Sequence, residues 1–170
     1  MGRVAEFDPL ARKGPVRSLM FRIARHPVGT WLAIHVGNRV DPYLMKATGG
    51  RLKIGVAWPT VLLTHTGAKS GKKRTTPLAY FTDRGNVVLI ASRGGDRSHP
   101  AWYYNVTANP EVELWTKGGG GRYRAKEVKG SARKRIWNLA TKFYPGYATY
   151  QDRAGDRRIP VIVCEPQDDV

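Results

Sequence analysis

The sequence predicts a mainly β protein of the α+β class, a small antiparallel barrel of about six strands with helices at the N-terminus and between later strands. From residue 59 onward, short apolar segments with a period of two are separated by turns rich in glycine, asparagine and aspartate, the pattern of hairpin-connected strands. Helical periodicity occurs before that point and between later strands. Strands and helices do not alternate regularly, so we expect no sheet of βαβ units.

Length and composition indicate one folded unit. The chain has 170 residues, of which 41% are apolar and 25% charged, so it is long enough for a core and has a globular composition. No apolar run reaches the roughly 18 residues of a membrane-spanning helix. The basic N-terminus is not followed by an uninterrupted apolar stretch, so we expect no signal peptide. We expect a soluble cytoplasmic protein with a basic helical extension at residues 1–50 and a barrel domain at residues 51–170.

The charge of the chain predicts an anionic partner. Lysine and arginine total 29 against 13 aspartate and glutamate residues, which gives a net charge of +16. Nucleic acid, an anionic membrane surface and a phosphorylated or polycarboxylate small molecule each match such a charge. No metal is expected, because the single cysteine, Cys164, rules out a Cys-based zinc site and the four histidines lack the spacing of metal ligands.

The N-terminal extension is predicted to contain a loose arm and three helices. Residues 1–14 are polar and irregular, which predicts a loose arm. Apolar positions in residues 16–23 recur at helical spacing among arginines, and residues 31–36 indicate a second helical piece. Asp41 and Pro42 are predicted as the N-cap and first residue of a third helix. These helices either pack on the barrel or rest on an anionic membrane, which would make the protein peripheral on its inner face.

The elements of the predicted barrel follow along the chain. A short helix starts at Pro100, a longer one is capped by Ser131, and a hairpin turns across residues 118–121. Tyr147 and Tyr150 are placed in a loop, because a proline and a glycine before them end the helix. Strands are predicted at residues 61–66, 75–82, 87–92, 112–116, 123–128 and 159–164.

A basic turn at residues 67–74 is the first candidate for ligand binding. It is not a Walker A motif, because three residues rather than four separate Gly67 from Gly71. Glycines nevertheless let backbone N–H groups point inward, and four of the last six residues of the turn are cations. The turn is therefore predicted to bind an anion, with a solvated basic hairpin turn as the alternative.

Three further segments are candidates. Ser92 and Arg93 stand beside two glycines after a strand end, where a flat ligand or a phosphate can approach the backbone. Residues 102–104 are aromatic, either as core or as a wall against a planar ring. Residues 144–150 carry three tyrosines, either functionless surface residues or donors of a proton or hydrogen bond. The polar loop at residues 96–99 does not suggest a hydrolase triad, because a G-x-S-x-G motif is absent.

Taken together, these segments resemble the deazaflavin-dependent nitroreductase family over residues 45–166. The resemblance rests on TGAKSGKKRTTPL at residues 66–78, ASRGG at 91–95, PAWYYN at 100–105 with ANP at 108–110, and IPVIVCEP at 159–166. Members of that family are split β-barrels related to flavin-binding pyridoxamine-phosphate-oxidase-like proteins. They use reduced coenzyme F420 to reduce quinones, nitroimidazoles and unsaturated lactones or enones, so the resemblance implies an F420H2-dependent oxidoreductase of this kind.

The resemblance also implies roles for individual residues. Ser92 and the three tyrosines, Tyr144, Tyr147 and Tyr150, correspond to substrate-side residues, with Tyr147 and Ser92 as the candidate donors to the acceptor oxygen. Arg93 replaces a lysine of some members, and Ala79 replaces a bulkier aromatic residue. The implied coenzyme contacts are Ala68, Lys69, Ser70, Arg74, Thr75, Thr76, Pro77, Ala91, Ser92, Arg93, Ala101, Trp102, Tyr103 and Asn105.

The charge of the chain agrees with this coenzyme, which carries a phosphodiester, a carboxylate and an oligoglutamate tail. Two other classes stay open: an FMN-dependent split-barrel oxidoreductase, and a non-enzymatic module that binds a lipid or another ligand. Nucleic acid is not expected, because the basic residues cluster at turns and the aromatic residues lie in apolar segments rather than interleaving on one face.

Overall fold

A computed structural model describes residues 3–10, 38–48 and 59–167. The helices predicted at residues 16–23 and 31–36, and with them most of the basic extension, lie outside the described residues.

Six antiparallel strands close into a barrel, as the sequence predicts. The order around the barrel is β1-β2-β3-β6-β5-β4, and β1 pairs with β4 to complete the ring. Closure pairs the edge strands, so the barrel offers no free sheet edge. The strands are β1 (Thr60–Thr66), β2 (Lys73–Asp83), β3 (Asn86–Ile90), β4 (Glu111–Thr116), β5 (Gly119–Glu127) and β6 (Val161–Pro166).

Four helices accompany the barrel in the described part of the chain. They are α1 (Asn38–Ala47), α2 (Ala101–Ala108), α3 (Gly130–Phe143) and α4 (Gly146–Arg153), and a 3-10 turn at Arg93–Gly95 lies between β3 and α2. None of the described helices has the length and apolarity needed to cross a bilayer.

Two apolar clusters lie on opposite sides of the barrel wall. Along β3, Val87 and Leu89 point into the barrel, while Val88 and Ile90 join a second cluster with residues of α3 and α4. The strand is therefore buried on both faces, which explains why its sequence is a continuous apolar run rather than an alternating one. Helix α2 contributes Trp102 and Val106 to the interior cluster.

The N-terminal arm is ordered by the barrel, contrary to the prediction of a loose segment. Among residues 3–10, the Val4 amide donates to the Tyr123 hydroxyl at 2.9 Å, and the Phe7 amide donates to Thr82 Oγ1 at 2.9 Å. The Thr82 amide donates back to the Phe7 carbonyl. The sequence could not reveal these contacts, because every partner lies at least 75 residues away.

Two predicted helix starts are wrong. Helix α1 begins at Asn38, so Asp41 is a buried residue of its first turn rather than its N-cap. Pro42 lies inside the helix rather than at its first position, so the hydrogen bond that its N–H would make to the Asn38 carbonyl is missing. Helix α3 begins at Gly130 after Lys129, so Ser131 is inside it and caps nothing. In both cases a plausible capping residue lies one to three positions inside the true start.

Two local assignments near glycines are also wrong. The glycines of residues 119–121 belong to β5 and pair with β4, so the turn is shorter than predicted. At Gly120 a Cβ would lie 2.5 Å from the Leu114 carbonyl oxygen, so the close approach of the two strands requires glycine. Tyr147 and Tyr150 lie in α4 and are buried, because a new helix starts directly after Pro145 instead of a loop.

We expect Gly95→Ala to destabilise the fold more than Gly85→Ala. Both glycines have positive φ, 84° and 78°, so both variants pay a backbone cost of about 1–2 kcal/mol. At Gly95 the added Cβ would also lie 2.7 Å from the Tyr150 carbonyl oxygen, whereas at Gly85 no atom lies within 4 Å. The clash should add about 1–3 kcal/mol, measurable by urea unfolding. Equal losses for the two variants would contradict this packing of the 3-10 turn on α4.

Candidate functional site

The basic turn, residues 67–74, connects β1 to β2 and is anchored to α2. Within it, the Gly67 amide donates to the Lys72 carbonyl and the Gly71 amide to the Gly67 carbonyl, each at 2.9 Å. The Ala68 amide donates to Asn105 Oδ1 of α2, also at 2.9 Å. The turn is thus closed by its own backbone and held against one end of the barrel by a single side chain of α2.

Three cations of the basic turn have no acidic partner among the described residues. Lys69, Lys72 and Arg74 are exposed and form no ion pair within residues 3–10, 38–48 and 59–167. The fourth, Lys73, lies on the outer face of the barrel and pairs with Glu113 at 3.0 Å. The positive potential of the turn is therefore carried by three side chains rather than the four that the sequence suggested.

A buried histidine lies beneath the turn. His65 is 3% exposed; its Nδ1 is 3.2 Å from Asn105 Nδ2 and its Nε2 is 3.1 Å from Thr76 Oγ1. Burial, with the positive charge of Arg74 as the lesser cause, lowers the pKa of His65. The sequence analysis considered this histidine only as a metal ligand and did not predict that it supports the basic turn. Its position near the end of an apolar strand, two residues before Gly67, could have indicated that role.

The loop at residues 91–99 is organised by an arginine that the sequence did not single out. Arg157 donates from Nη2 to the Ser92 carbonyl and from Nε to the Asp96 carbonyl, both at 2.8 Å, and from Nη1 to the Ala91 carbonyl at 3.2 Å. Its Nη1 also lies 3.2 Å from His99 Nδ1. No local pattern marks this role, because each partner is at least 58 residues away.

Within the 91–99 loop, the side chains of Ser92 and Arg93 differ in the hydrogen bonds that they form. Arg93 has a positive φ of 49° and folds back onto its own loop, donating to Ser98 Oγ at 2.6 Å and to the His99 carbonyl at 3.2 Å. The Ser92 hydroxyl is half-buried and forms no hydrogen bond in the described part of the chain. Ser98 donates to Asp96 rather than to His99, so the loop contains no triad geometry.

The three tyrosines form one buried cluster beside that loop. Their ring centroids are 5.3–6.2 Å apart, and Tyr144 Oη lies 3.2 Å from Tyr150 Oη. Tyr147 Oη has no hydrogen-bond partner among the described residues, and burial raises its pKa, so the phenol stays protonated at neutral pH. The 3-10 turn packs on the α4 backbone at Tyr150, which places the cluster against the 91–99 loop.

The remaining residues implied by the family resemblance differ in their burial and in their contacts. Ala91 lies in the barrel core, with its amide bonded to the Pro160 carbonyl and its own carbonyl bonded to Arg157. Thr75 Oγ1 is 3.2 Å from Thr64 Oγ1, and Tyr103 donates to Glu127 at 2.9 Å. Pro77 and Trp102 are buried; Ala68, Lys69, Ser70, Arg74 and Ala101 are exposed.

Helix α2 links these groups into one site. Its N-terminal end follows the 91–99 loop, where the His99 and Tyr103 rings are 4.6 Å apart, and its Asn105 reaches the basic turn. The structure therefore brings the three predicted segments together around α2, with the tyrosine cluster on the far side of the 91–99 loop. Whether each residue contacts a ligand stays a prediction.

Comparison with known proteins identifies the family. The family model described as F420H2-dependent quinone reductase matches residues 38–166. An F420H2-dependent quinone reductase of Mycobacterium tuberculosis is 35% identical over 144 residues, which cover 80% of this chain and 96% of that protein. A solved F420H2-dependent reductase is 46% identical, with a TM-score of 0.58, over 63% of this chain and 94% of that one.

A second solved structure, described as a domain-swapped dimer, is 41% identical, with a TM-score of 0.60, over 74% of this chain and 96% of that one. The family-model match covers the barrel and the segments that form the candidate site. The family match spans more than half of the chain, and the resemblance inferred from the sequence is confirmed. The chain belongs to the F420H2-dependent quinone reductase family, a family of split-barrel enzymes.

Proposed function

We propose that this protein reduces a quinone with F420H2, which it binds across the basic turn and the 91–99 loop. The observation that carries the proposal is a group of three cations, Lys69, Lys72 and Arg74, which form no ion pair with the described residues and lie on a turn held by Asn105 of α2. Cations and backbone amides arranged in this way recognise phosphate and carboxylate groups.

The residues present fit the coenzyme. A phosphodiester and several carboxylates require cations with no other partner, which the basic turn provides. A planar ring system requires backbone that it can approach closely, and Gly94 follows Ser92 and Arg93 on the loop without a side chain, whereas Gly95 is packed against α4. Arg157 holds that loop through the Ser92 and Asp96 carbonyls, so the ring would meet a preformed surface.

The proposed chemistry divides between the coenzyme and the protein. Bound F420H2 supplies a hydride, that is, two electrons and one proton, to the acceptor. Reduction of a quinone to a quinol consumes one further proton, and negative charge develops on the acceptor oxygen until that proton arrives. The protein's part is to orient the acceptor and to direct hydrogen-bond donors at that oxygen.

Tyr147 and Ser92 are the donors that the geometry favours. Tyr144 and Tyr150 have their hydroxyls 3.2 Å apart and engage each other. The hydroxyls of Tyr147 and Ser92 have no partner in the described part of the chain. Because burial raises the pKa of Tyr147, its phenol remains a donor across the neutral range.

Nitroaromatic and enone or lactone acceptors belong to the same proposal, because each develops charge on an oxygen when it accepts a hydride. An FMN-dependent enzyme and a non-enzymatic binding protein are disfavoured by the family match. Titration with F420 and with FMN, each followed by tryptophan fluorescence, distinguishes an F420-dependent enzyme from an FMN-dependent enzyme and from a non-enzymatic binding protein. Tight F420 binding with weak FMN binding supports the proposal, and the reverse order overturns it.

We also propose that the basic extension brings the protein to anionic membranes, where quinones dissolve. The net charge of +16 supports this, and α1 exposes Val40 and Tyr43 to solvent.

Removing two cations from the basic turn should weaken coenzyme binding. The double variant Lys69→Ala, Arg74→Ala loses two charge-assisted contacts and should lose about 2–4 kcal/mol of F420 binding free energy. Affinity of the wild type should also fall with added salt. The matched control, Lys117→Ala with Lys134→Ala, removes the same charge from exposed positions elsewhere. If both double variants bind equally, the turn is not the coenzyme site.

Tyr147→Phe should lower turnover about 10- to 100-fold and leave F420 affinity close to that of the wild type, because it deletes one donor and keeps the ring. Tyr104→Phe, on the exposed face of α2, serves as the control and should retain turnover. Loss of coenzyme binding in Tyr147→Phe would move Tyr147 to the coenzyme site; unchanged turnover would assign the donor to Ser92, Tyr144, Tyr150 or solvent.

The protein should co-sediment with phosphatidylcholine vesicles only when they contain an anionic lipid such as phosphatidylglycerol. The triple variant Arg17→Gln, Arg22→Gln, Arg25→Gln should lose most of this binding, since each arginine contributes about 1 kcal/mol near an anionic surface. Equal sedimentation with neutral and anionic vesicles, or none with either, would contradict membrane recruitment.

A further inference from the structure

The orientation of the Asn105 amide is decided by the basic turn. The backbone N–H of Ala68 is an obligatory donor, and it points at one atom of the Asn105 side chain at 2.9 Å. That atom must be the amide oxygen. The NH2 group of Asn105 therefore faces His65 Nδ1, at 3.2 Å.

This orientation sets the protonation state of His65. An NH2 group can only donate, so Nδ1 of His65 must accept and carries no proton. The ring proton then sits on Nε2, which donates to Thr76 Oγ1 at 3.1 Å. Four residues from β1, β2, α2 and the basic turn thus form one chain of hydrogen bonds with a single direction, from the Ala68 amide to the Thr76 hydroxyl.

The same chain of hydrogen bonds determines which hydrogen bond the Thr76 hydroxyl can still form. Its oxygen already accepts from His65, and its own proton has no acceptor among the described residues. Thr76 is half-buried near the start of β2, two residues after Arg74. Its proton is therefore left to donate to an acceptor on the ligand side of the turn.

We propose that His65 is a positioning residue of the coenzyme site: as a neutral imidazole protonated on Nε2, it holds the basic turn on α2 through Asn105 and directs the Thr76 hydroxyl proton at an anionic oxygen of the ligand. The identity of that ligand rests on the proposed function. The hydrogen-bond chain itself does not.

A second proton on His65 breaks this chain. Protonated Nδ1 would face the NH2 group of Asn105, and rotation of that amide would instead place the NH2 group against the Ala68 amide. Either way one hydrogen bond is lost. Acidification should therefore weaken the attachment of the basic turn to α2, through loss of either the Ala68–Asn105 or the Asn105–His65 hydrogen bond.

The charges around His65 favour its neutral form at neutral pH. Arg74 lies opposite it on β2, and the depression that His65 lines also contains Lys73, Glu111, Glu113 and Arg122. Glu113 pairs with Lys73, and Glu111 pairs with Arg124. The group of α2 that faces His65 is the neutral Asn105 amide. Because the pKa of His65 is lowered in the folded state, the anchored turn is fully stable above about pH 6.5, the ordinary pKa of histidine. It loses stability as the pH falls from there through the lowered pKa.

The first test is made on the coenzyme-free protein by ¹⁵N NMR, with the His65 signals assigned through His65→Gln. We expect the Nε2-protonated neutral tautomer at pH 7.5, and an Ala68 amide signal that titrates with the pKa of His65. An Nδ1-protonated tautomer, or an Ala68 amide that does not follow His65, would overturn the proposal.

The second test reverses the polarity at Asn105. In Asn105→Asp, one carboxylate oxygen still accepts from Ala68, while the other faces His65 Nδ1 and draws a proton to it. The pKa of His65 should rise by about one to three pH units. The control Asn109→Asp adds the same charge to the same region, where the wild-type side chain bonds the Thr66 carbonyl rather than a histidine. If both variants raise the pKa of His65 equally, the added negative charge alone explains the rise, and the proposed hydrogen-bond chain through Asn105 is overturned.

F420 titrations across pH complete the test. Wild-type affinity should fall about tenfold as His65 is protonated, on the scale of one lost hydrogen bond. In Asn105→Asp the carboxylate accepts from both the Ala68 amide and the protonated Nδ1, so this fall should be largely abolished. Wild-type affinity that is independent of His65 protonation would overturn the link to the ligand. Absence of F420 binding at every pH would refute the proposed function, while the NMR titration of Ala68 would still decide whether His65 positions the turn.

Discussion

The attachment of α2 to one end of the barrel is the constraint on which the site depends. Trp102 and Val106 enter the barrel interior, so the helix cannot shift without opening the core. Asn105 lies on the same helix and anchors the basic turn, and the 91–99 loop leads directly into its first residue. Two loops that would otherwise move independently therefore share one rigid support.

Backbone groups, rather than pairs of charged side chains, hold the functional loops. Arg157 binds three carbonyls of the 91–99 loop, and the Ala68 amide sets the Asn105 orientation. Arginine and amide N–H groups can only donate, so the atoms that face them must accept. Nδ1 of His99 faces Arg157, and Nδ1 of His65 faces the NH2 group of Asn105, so both nitrogens are unprotonated. The loops are thus ordered before a ligand arrives.

The same arrangement explains where the positive charge acts. Some cations of the chain are consumed by structure: Arg135 forms a bidentate pair with Asp83, with its two contacts at 2.6 and 2.9 Å, and Arg124 pairs with Glu111. In the basic turn Lys73 pairs with Glu113, but Lys69, Lys72 and Arg74 form no ion pair within residues 3–10, 38–48 and 59–167. A surplus spread over the whole surface would attract any anion, whereas three unpaired cations on one anchored turn can favour a particular one.

The sequence by itself determined the barrel class, the approximate strands and the three segments proposed to bind the coenzyme. These follow from local causes, namely period-two apolar patterning, turn residues and cations confined to a glycine turn. Only the tertiary structure decided that residues 3–10 are bound to the barrel, that Tyr147 is buried in a helix, and that Arg157 and His65 support the site. Each of these depends on partners distant in the chain, brought together by barrel closure and by α2, and no local pattern of residues encodes such contacts.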